Sequence, residues 1–198
     1  MRQMQPVLWT KGVLLSPQHL QTQDRFLEDL LHFQLDALTV APWGFQRLEL
    51  DREALAGGTL AISAASGIFP DGLLFDFPGS DAAPAPKQLQ DSWVPDQTTL
   101  DIYLTVPEYR DGGYNVSTAA RDRNTRFLAE VVLLRDENTG LAEKPVQVAR
   151  KNLRLLAEGE TLEGNARLPV ARIRRAASGG YELDAHFVPP LVDVRASD

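Results

Sequence analysis

The sequence predicts a mainly-β protein: an antiparallel β-sandwich preceded by an N-terminal arm and one long α-helix. Three observations carry this. A single uninterrupted helical pattern runs from Ser16 to Leu38. Beyond it, about eight or more short apolar segments are separated by Gly, Pro and Asn/Asp turns, at the spacing of a sandwich or barrel. The 198 residues suffice for one domain, or one domain with an arm, around a sizeable core.

The helix begins where Ser16 can cap it and Pro17 fills the first position, whose missing N–H costs nothing. No Gly or Pro interrupts it as far as Leu38. Leu20, Leu27, Leu30, Leu31, Leu35 and Leu38 recur at spacings of three and four and build one apolar stripe. Asp24, Glu28, Asp29 and Asp36 lie mostly off that stripe, so one face is expected to dock. Two docks stand open: the body of the same domain, or other chains. Ahead of the helix, Val7, Leu8, Trp9, Val13, Leu14 and Leu15 form a short apolar arm broken at Gly12. Such a terminal segment frays unless something ties it down, and Trp is enriched among interface hot spots.

After the helix, Thr39–Trp43 is expected to be an exit turn, because the residue before Pro42 avoids helix. Trp43–Asp51 alternates as a strand, and Asp51–Gly58 reads as a turn or one helical turn. Thr59–Phe77 reads as a hairpin. It comprises a strand over Thr59–Phe69 with a bulge near Gly67, then a tight Pro70-Asp71-Gly72 turn, then Leu73, Leu74, Phe75 and Phe77. In the turn Pro70 presets φ and Gly72 takes the left-handed position. Residues 78–97, rich in Pro, Ala, Asp and Ser, are expected to be an irregular loop with Trp93 tucked against the body.

Leu100–Tyr109 is the clearest strand, with Leu100, Ile102, Leu104 and Val106 on one face and Asp101, Tyr103 and Thr105 on the other. A Gly112-Gly113 turn and a polar crossover over Ser117–Arg126 follow, then a strand from Phe127 that ends in the Asn138-Thr139-Gly140 turn. Pro145–Glu160 is ambiguous between strand and helix. Leu168–Ala176 alternates, with Leu168, Val170 and Arg172 against Pro169, Ala171 and Ile173. A Gly179-Gly180 turn leads to a last short strand, and the chain is expected to leave the sheet through Pro189-Pro190.

The run LWTKGVLLSPQHLQTQDRFLE resembles the opening signature of the TssK family, baseplate subunits of bacterial type VI secretion systems. The matching residues are Trp9, Gly12, the run Pro17, Gln18, His19, Leu20, Gln21, and then Asp24 and Arg25. GIFPDGLLFDFP (Gly67–Pro78), KPVQVARKNLRLL (Lys144–Leu156), LPVARI (Leu168–Ile173) and FVPP (Phe187–Pro190) resemble further family landmarks in the same order. The resemblance spans nearly the whole chain and favours a strand over Pro145–Glu160. It implies a trimeric β-sandwich similar to the shoulder domains of phage receptor-binding proteins. Family members continue into a helical middle domain and a domain facing the membrane complex, so this chain is expected to be the N-terminal domain alone. The implied partners are two further copies of the chain, the wedge proteins TssF and TssG with TssE, and the membrane complex through domains that follow.

On that basis residues 1–16 are expected to be a partner-binding arm, 17–190 the helix and sandwich, and 191–198 a linker. Val7, Leu8, Trp9, Leu14, Leu15, Pro17 and His19 are the expected wedge contacts. Asp24, Arg25, Leu27 and Leu31 are assigned to the helix start or the trimer.

Composition bounds the rest. The apolar content of 43% and charged content of 24% are those of an ordinary globular protein. A net charge of −7 argues against binding a phosphate backbone. No apolar run approaches the ~18 residues of a membrane span. The segment MRQMQPVLW lacks a signal core, so the cytoplasm, beside the membrane-anchored apparatus, is the expected location. The absence of cysteine removes disulfides and thiolate chemistry.

His19, His32 and His186 fit no metal motif, the Gly pairs fit no phosphate loop, and no serine sits in GxSxG. No cofactor and no catalytic residue is expected. Three basic runs remain: Arg121, Arg123 and Arg126; Arg150, Lys151 and Arg154; Arg172, Arg174 and Arg175. They read as solvated faces or as electrostatic matches to acidic partner subunits. The leading function is structural, in a baseplate. A carbohydrate- or receptor-binding module, using aromatics such as Trp93, Tyr109 and Tyr114, is the alternative, and an enzyme has no motif behind it.

Overall fold

The computed structural model describes residues 5–94, 97–118, 124–176 and 179–193. The chain divides into two compact units, Met1–Trp43 and Gly44–Asp198. The first holds the arm and α1 (Pro17–Leu38). Ser16 is extended, with φ −125° and ψ 159°, and Pro17 opens the helix as the spacing predicts. At the other end Thr39 is again extended, and its N–H returns to Leu35 O at 3.1 Å. No residue of α1 is buried, so the leucine stripe expected to dock faces outward.

The second unit is mainly β and forms a sandwich. Its strands in chain order are β1 (Gly44–Leu50), β2 (Thr59–Leu60), β3 (Ile62–Ile68), β4 (Leu74–Phe77), β5 (Lys87–Gln88) and β6 (Thr99–Pro107). β7 (Val116–Ser117), β8 (Phe127–Leu134), β9 (Lys144–Lys151), β10 (Arg154–Ala157), β11 (Asn165–Arg175) and β12 (Tyr181–Leu183) follow. A one-turn helix, α2 (Arg52–Ala56), is capped by Asp51 Oδ1, which accepts the Glu53 and Ala54 N–H groups. The sheets run β1-β3-β4, β10-β6-β11-β12, β2-β5 and β7-β8-β9. Pairing is antiparallel except between β7 and β8.

The core follows from the apolar phase of the strands. Leu100, Ile102, Leu104 and Val106 of β6 are fully buried, each worth roughly 1.5–3 kcal/mol of burial. Thr105, expected on the polar face, is buried as well, because β10 covers it and its hydroxyl donates to Arg154 O at 3.2 Å. Beneath β1, β3 and β4 lies an aromatic cluster. Phe75 meets Phe45 edge-on at 5.8 Å between ring centroids, Phe69 at 5.1 Å and Phe77 at 6.2 Å.

Several expectations are corrected by the geometry. The bulge near Gly67 lies on the partner strand, where Gln46 is the extra residue between the Phe45–Gly67 and Arg47–Ser66 pairs. In β11, strict alternation put Arg172 beside Leu168 and Val170. A bulge at Val170 instead changes the phase, so Val170 and Ala171 are both buried, Ile173 turns inward and Arg172 turns out. Residues 78–97 are not wholly irregular. They carry β5 and a 3-10 turn over Gln90–Ser92, with Leu89 buried and Trp93 half-buried. Pro145–Glu160 resolves into the two strands β9 and β10, separated at Asn152-Leu153.

The chain does not leave the sheet at Pro189-Pro190. Two prolines hold it extended, and Leu191 pairs in parallel with Phe45 on the outer edge of β1. Most described members of the basic runs lie on partly solvated faces, as expected, but are paired within the chain. Arg126 pairs with Asp71, Arg150 with Glu130, Lys151 with Asp81, Arg172 with Asp101 and Arg174 with Glu182. Arg121 and Arg123 lie outside the described residues.

Candidate partner-binding surface

The arm meets the start of α1 through Trp9. A turn over Thr10–Val13 closes with the Val13 N–H donating to Thr10 O at 3.3 Å. His19, at the third helical position, turns its imidazole back. Its Nδ1 accepts the Ser16 N–H at 3.2 Å and lies 2.8 Å from Ser16 Oγ. His19 thus fills the place that Glu or Gln takes in a capping box, satisfying a donor the helix leaves orphaned. The Trp9 ring stands 6.0 Å from the His19 ring at a tilt of 33°. The matched residues Trp9 and His19 are therefore brought together at the start of α1, which Pro17 opens.

The other arm residues point away. Leu8 is 81% exposed and Leu14 87%, Trp9 and Leu15 are also more exposed than buried, and Val7 is half-buried. The arm therefore presents a contiguous set of exposed apolar side chains, a candidate interaction surface. Along α1, Leu27 and Leu31 are exposed and lie one turn apart on the same face as Leu20 and Leu38. Asp24 is exposed, while the Arg25 guanidinium is engaged within the helix by Glu28 at 2.8 Å.

Sequence reasoning missed a second apolar display. β8 and β9 form a two-stranded hairpin, and among the described residues β9 pairs with no other strand. Val131, Leu133, Leu134, Leu141, Val146 and Val148 are exposed on it. The signal available in the sequence was Pro145. A proline inside a strand belongs to a sheet edge, where no ladder bond is lost.

No group of three or more His, Cys, Asp or Glu among the described residues could hold a metal ion. His186 stands 3.3 Å from Asp184 on an exposed turn, and the His186 backbone N–H, donating to the carboxylate, holds Asp184 below its ordinary range. A groove of about 1060 Å³ runs between β1 and β12. Two of the charged side chains along it pair with protein groups: Arg47 with Glu49 at 2.7 Å, and Arg172 with Asp101 through two hydrogen bonds of 2.6 and 2.9 Å. Of the aromatics considered for sugar binding, Trp93 packs against Tyr181 at 5.6 Å and under Arg175 at 5.0 Å. Tyr109 and Tyr114 flank a different turn, which Asn115 closes onto Arg110.

Comparison with known proteins places these features. The family profile described as Bacterial Type VI secretion, VC_A0110, EvfL, ImpJ, VasE matches residues 19–198. The chain is 36% identical over 194 residues to the type VI secretion system baseplate component TssK1 of Pseudomonas aeruginosa. That match takes in 96% of this chain and 43% of the relative, so the chain spans less than half of it. Among solved structures, it superposes with a TM-score of 0.88 and 29% identity on a chain of a type VI secretion TssK–TssF–TssG baseplate subcomplex. That covers 98% of this chain and 64% of the other. A crystal structure of TssK gives a TM-score of 0.84 and 31% identity, covering 97% and 43%.

Proposed function

Because this chain belongs to the TssK (VasE) family of bacterial type VI secretion proteins, we propose that it is the partner-binding N-terminal part of a baseplate subunit. In this reading residues 1–16 are the capturing arm, 17–190 the helix and sandwich that mount it, and 191–198 the passage to further domains. Three copies associate, with Asp24, Arg25, Leu27 and Leu31 of α1 among the contacts. Val7, Leu8, Trp9, Leu14, Leu15, Pro17 and His19 engage wedge subunits of the TssF and TssG kind, with TssE in the same wedge. Link to the membrane complex runs through the longer protein. The work is structural, and no step of it needs a cofactor.

One observation carries the reading: an apolar arm whose leucines face outward while Trp9, His19 and Ser16 fix its attachment to α1. Fixing one end lowers the ordering cost that a loose segment meets on binding. The test is Trp9→Ala. Its fold is expected to match wild type by circular dichroism, while affinity for a TssF–TssG complex falls by about 30-fold or more, the ~2 kcal/mol of a hot spot. Unchanged capture rejects the arm. Light scattering tests association separately, and a monomer at every concentration rejects the trimer.

A further inference from the structure

The segment that crosses the edge of β1 is attached in an unusual way. Three stretches of backbone stack without side chains between them. A Cβ on Gly67 would stand 2.3 Å from Gly44 O, and a Cβ on Gly44 would stand 2.7 Å from Pro190 O. Gly44 also has φ +136°, a conformation that other residues rarely adopt. This close approach lets the Phe45 N–H donate to Pro190 O at 2.8 Å and the Val192 N–H donate to Phe45 O at 3.0 Å. Both bonds fall on one residue of β1. Pro189 is buried, whereas Val188 and Val192 on either side of the crossing are exposed.

The crossing also separates two cavities. The groove of about 1060 Å³ is lined by Gln46 through Leu50 of β1 and by Val188 and Pro189. A second groove, of about 520 Å³, is lined by Gln46, Gly67, Phe75 and Val192. Gln46 lines both, so the segment lies like a bar between them.

We infer that Pro189–Val192 is a latch that closes on Phe45 and opens as a unit, without loss of the sandwich core. Closed, it pairs the edge of β1 with the protein's own chain. Open, it bares the Phe45 N–H and C=O on the edge of β1 and joins the two grooves, extending a strand edge of the kind an extended polypeptide pairs with. Among the described residues two backbone bonds tie the segment to β1, which puts it at the weakly protected end of the molecule, while Phe45 stays anchored in the aromatic cluster. The inference does not rest on the baseplate reading.

Amide hydrogen exchange on the 198-residue chain tests it. The Phe45 and Val192 amides are expected to open together, about 100-fold less protected than Ile102 and Leu104 of the central strand. Gly44→Ala is expected to lower protection at Phe45 and Val192 by a further ~10-fold with Ile102 and Leu104 unchanged. Wild-type protection at Phe45 and Val192 equal to that of the core overturns the latch. If Gly44→Ala unfolds the domain, Leu191→Gly serves in its place. Selective loss at the same two amides supports the latch, and uniform loss or no loss overturns it.

Discussion

The Arg126 guanidinium donates to Asp71 Oδ2 at 2.7 Å and to Pro107 O at 3.0 Å while itself only 5% exposed. One side chain thereby joins the β3–β4 turn, the end of β6 and the root of β8. It also accounts for the place of Pro70-Asp71-Gly72 in the sequence: the turn presents Asp71 to a buried cation.

Removing one partner of such a pair leaves the other uncompensated. Asp71→Asn is expected to cost about 3 kcal/mol in urea denaturation, because it leaves the buried Arg126 cation uncompensated, and Arg126→Met less, since the Asp71 left behind is partly open to water. Equal losses from the two variants would show that the pairing itself, not the burial of Arg126, sets the energy.

The core and the β8–β9 hairpin should respond differently to the same change. Leu104→Ala is expected to destabilise by about 3 kcal/mol, because it opens a cavity in a fully buried strand. Leu133→Ala, at an exposed site, is expected to stay within about 0.5 kcal/mol. Thermal melts of the isolated chain at low concentration check both.

The cap on α1 depends on an acceptor at position 19. His19→Ala is expected to cost about 1 kcal/mol of helix-start stability, read as faster amide exchange from Ser16 to Leu20. His19→Gln keeps an acceptor in the capping box and is expected to restore most of it. Failure of Gln to rescue would place the role of His19 in its contact with Trp9.

Alkaline pH probes β6. Burial raises the Tyr103 phenol above its ordinary value, the Asp101 carboxylate adds to the shift, and the Arg167 guanidinium, 5.7 Å from the ring, opposes it. A pKa raised on folding means a contribution fully present below the unfolded value of 10.0 and lost as pH rises through the folded one. Stability is therefore expected to decline above pH 10, and Tyr103→Phe to flatten that decline. Phenolate absorbance against pH follows the titration directly.

Periodicity was legible wherever a single rule governs. Ser16, Pro17 and the unbroken run to Leu38 delimit α1, and the alternation of Leu100 to Val106 marks β6, because local chemistry decides those ends and faces. The bulge at Val170 was not legible, since it depends on the register of β11 against β6 and not on β11 alone. The pairing of Leu191 with Phe45 joins residues remote in sequence and is equally invisible to a local window. Of the site, the arm residues were readable as a motif, but the bond from Ser16 to His19 that anchors them needed coordinates. The hairpin display escaped because an apolar strand reads as core whether or not another layer covers it.

Beyond the short pairing with β7, β8 and β9 make a two-stranded ribbon of the kind that is marginal in water, and among the described residues β9 leaves a flank of backbone unpaired by any strand beside exposed valines. Pro145, with Lys144, Arg150 and Lys151 near the ends of β9, blunts that flank against ribbon-to-ribbon stacking. Replacing Pro145 or Lys144 with valine would strip those guards, so such variants should precipitate or form fibres on concentration even though no buried contact has been lost.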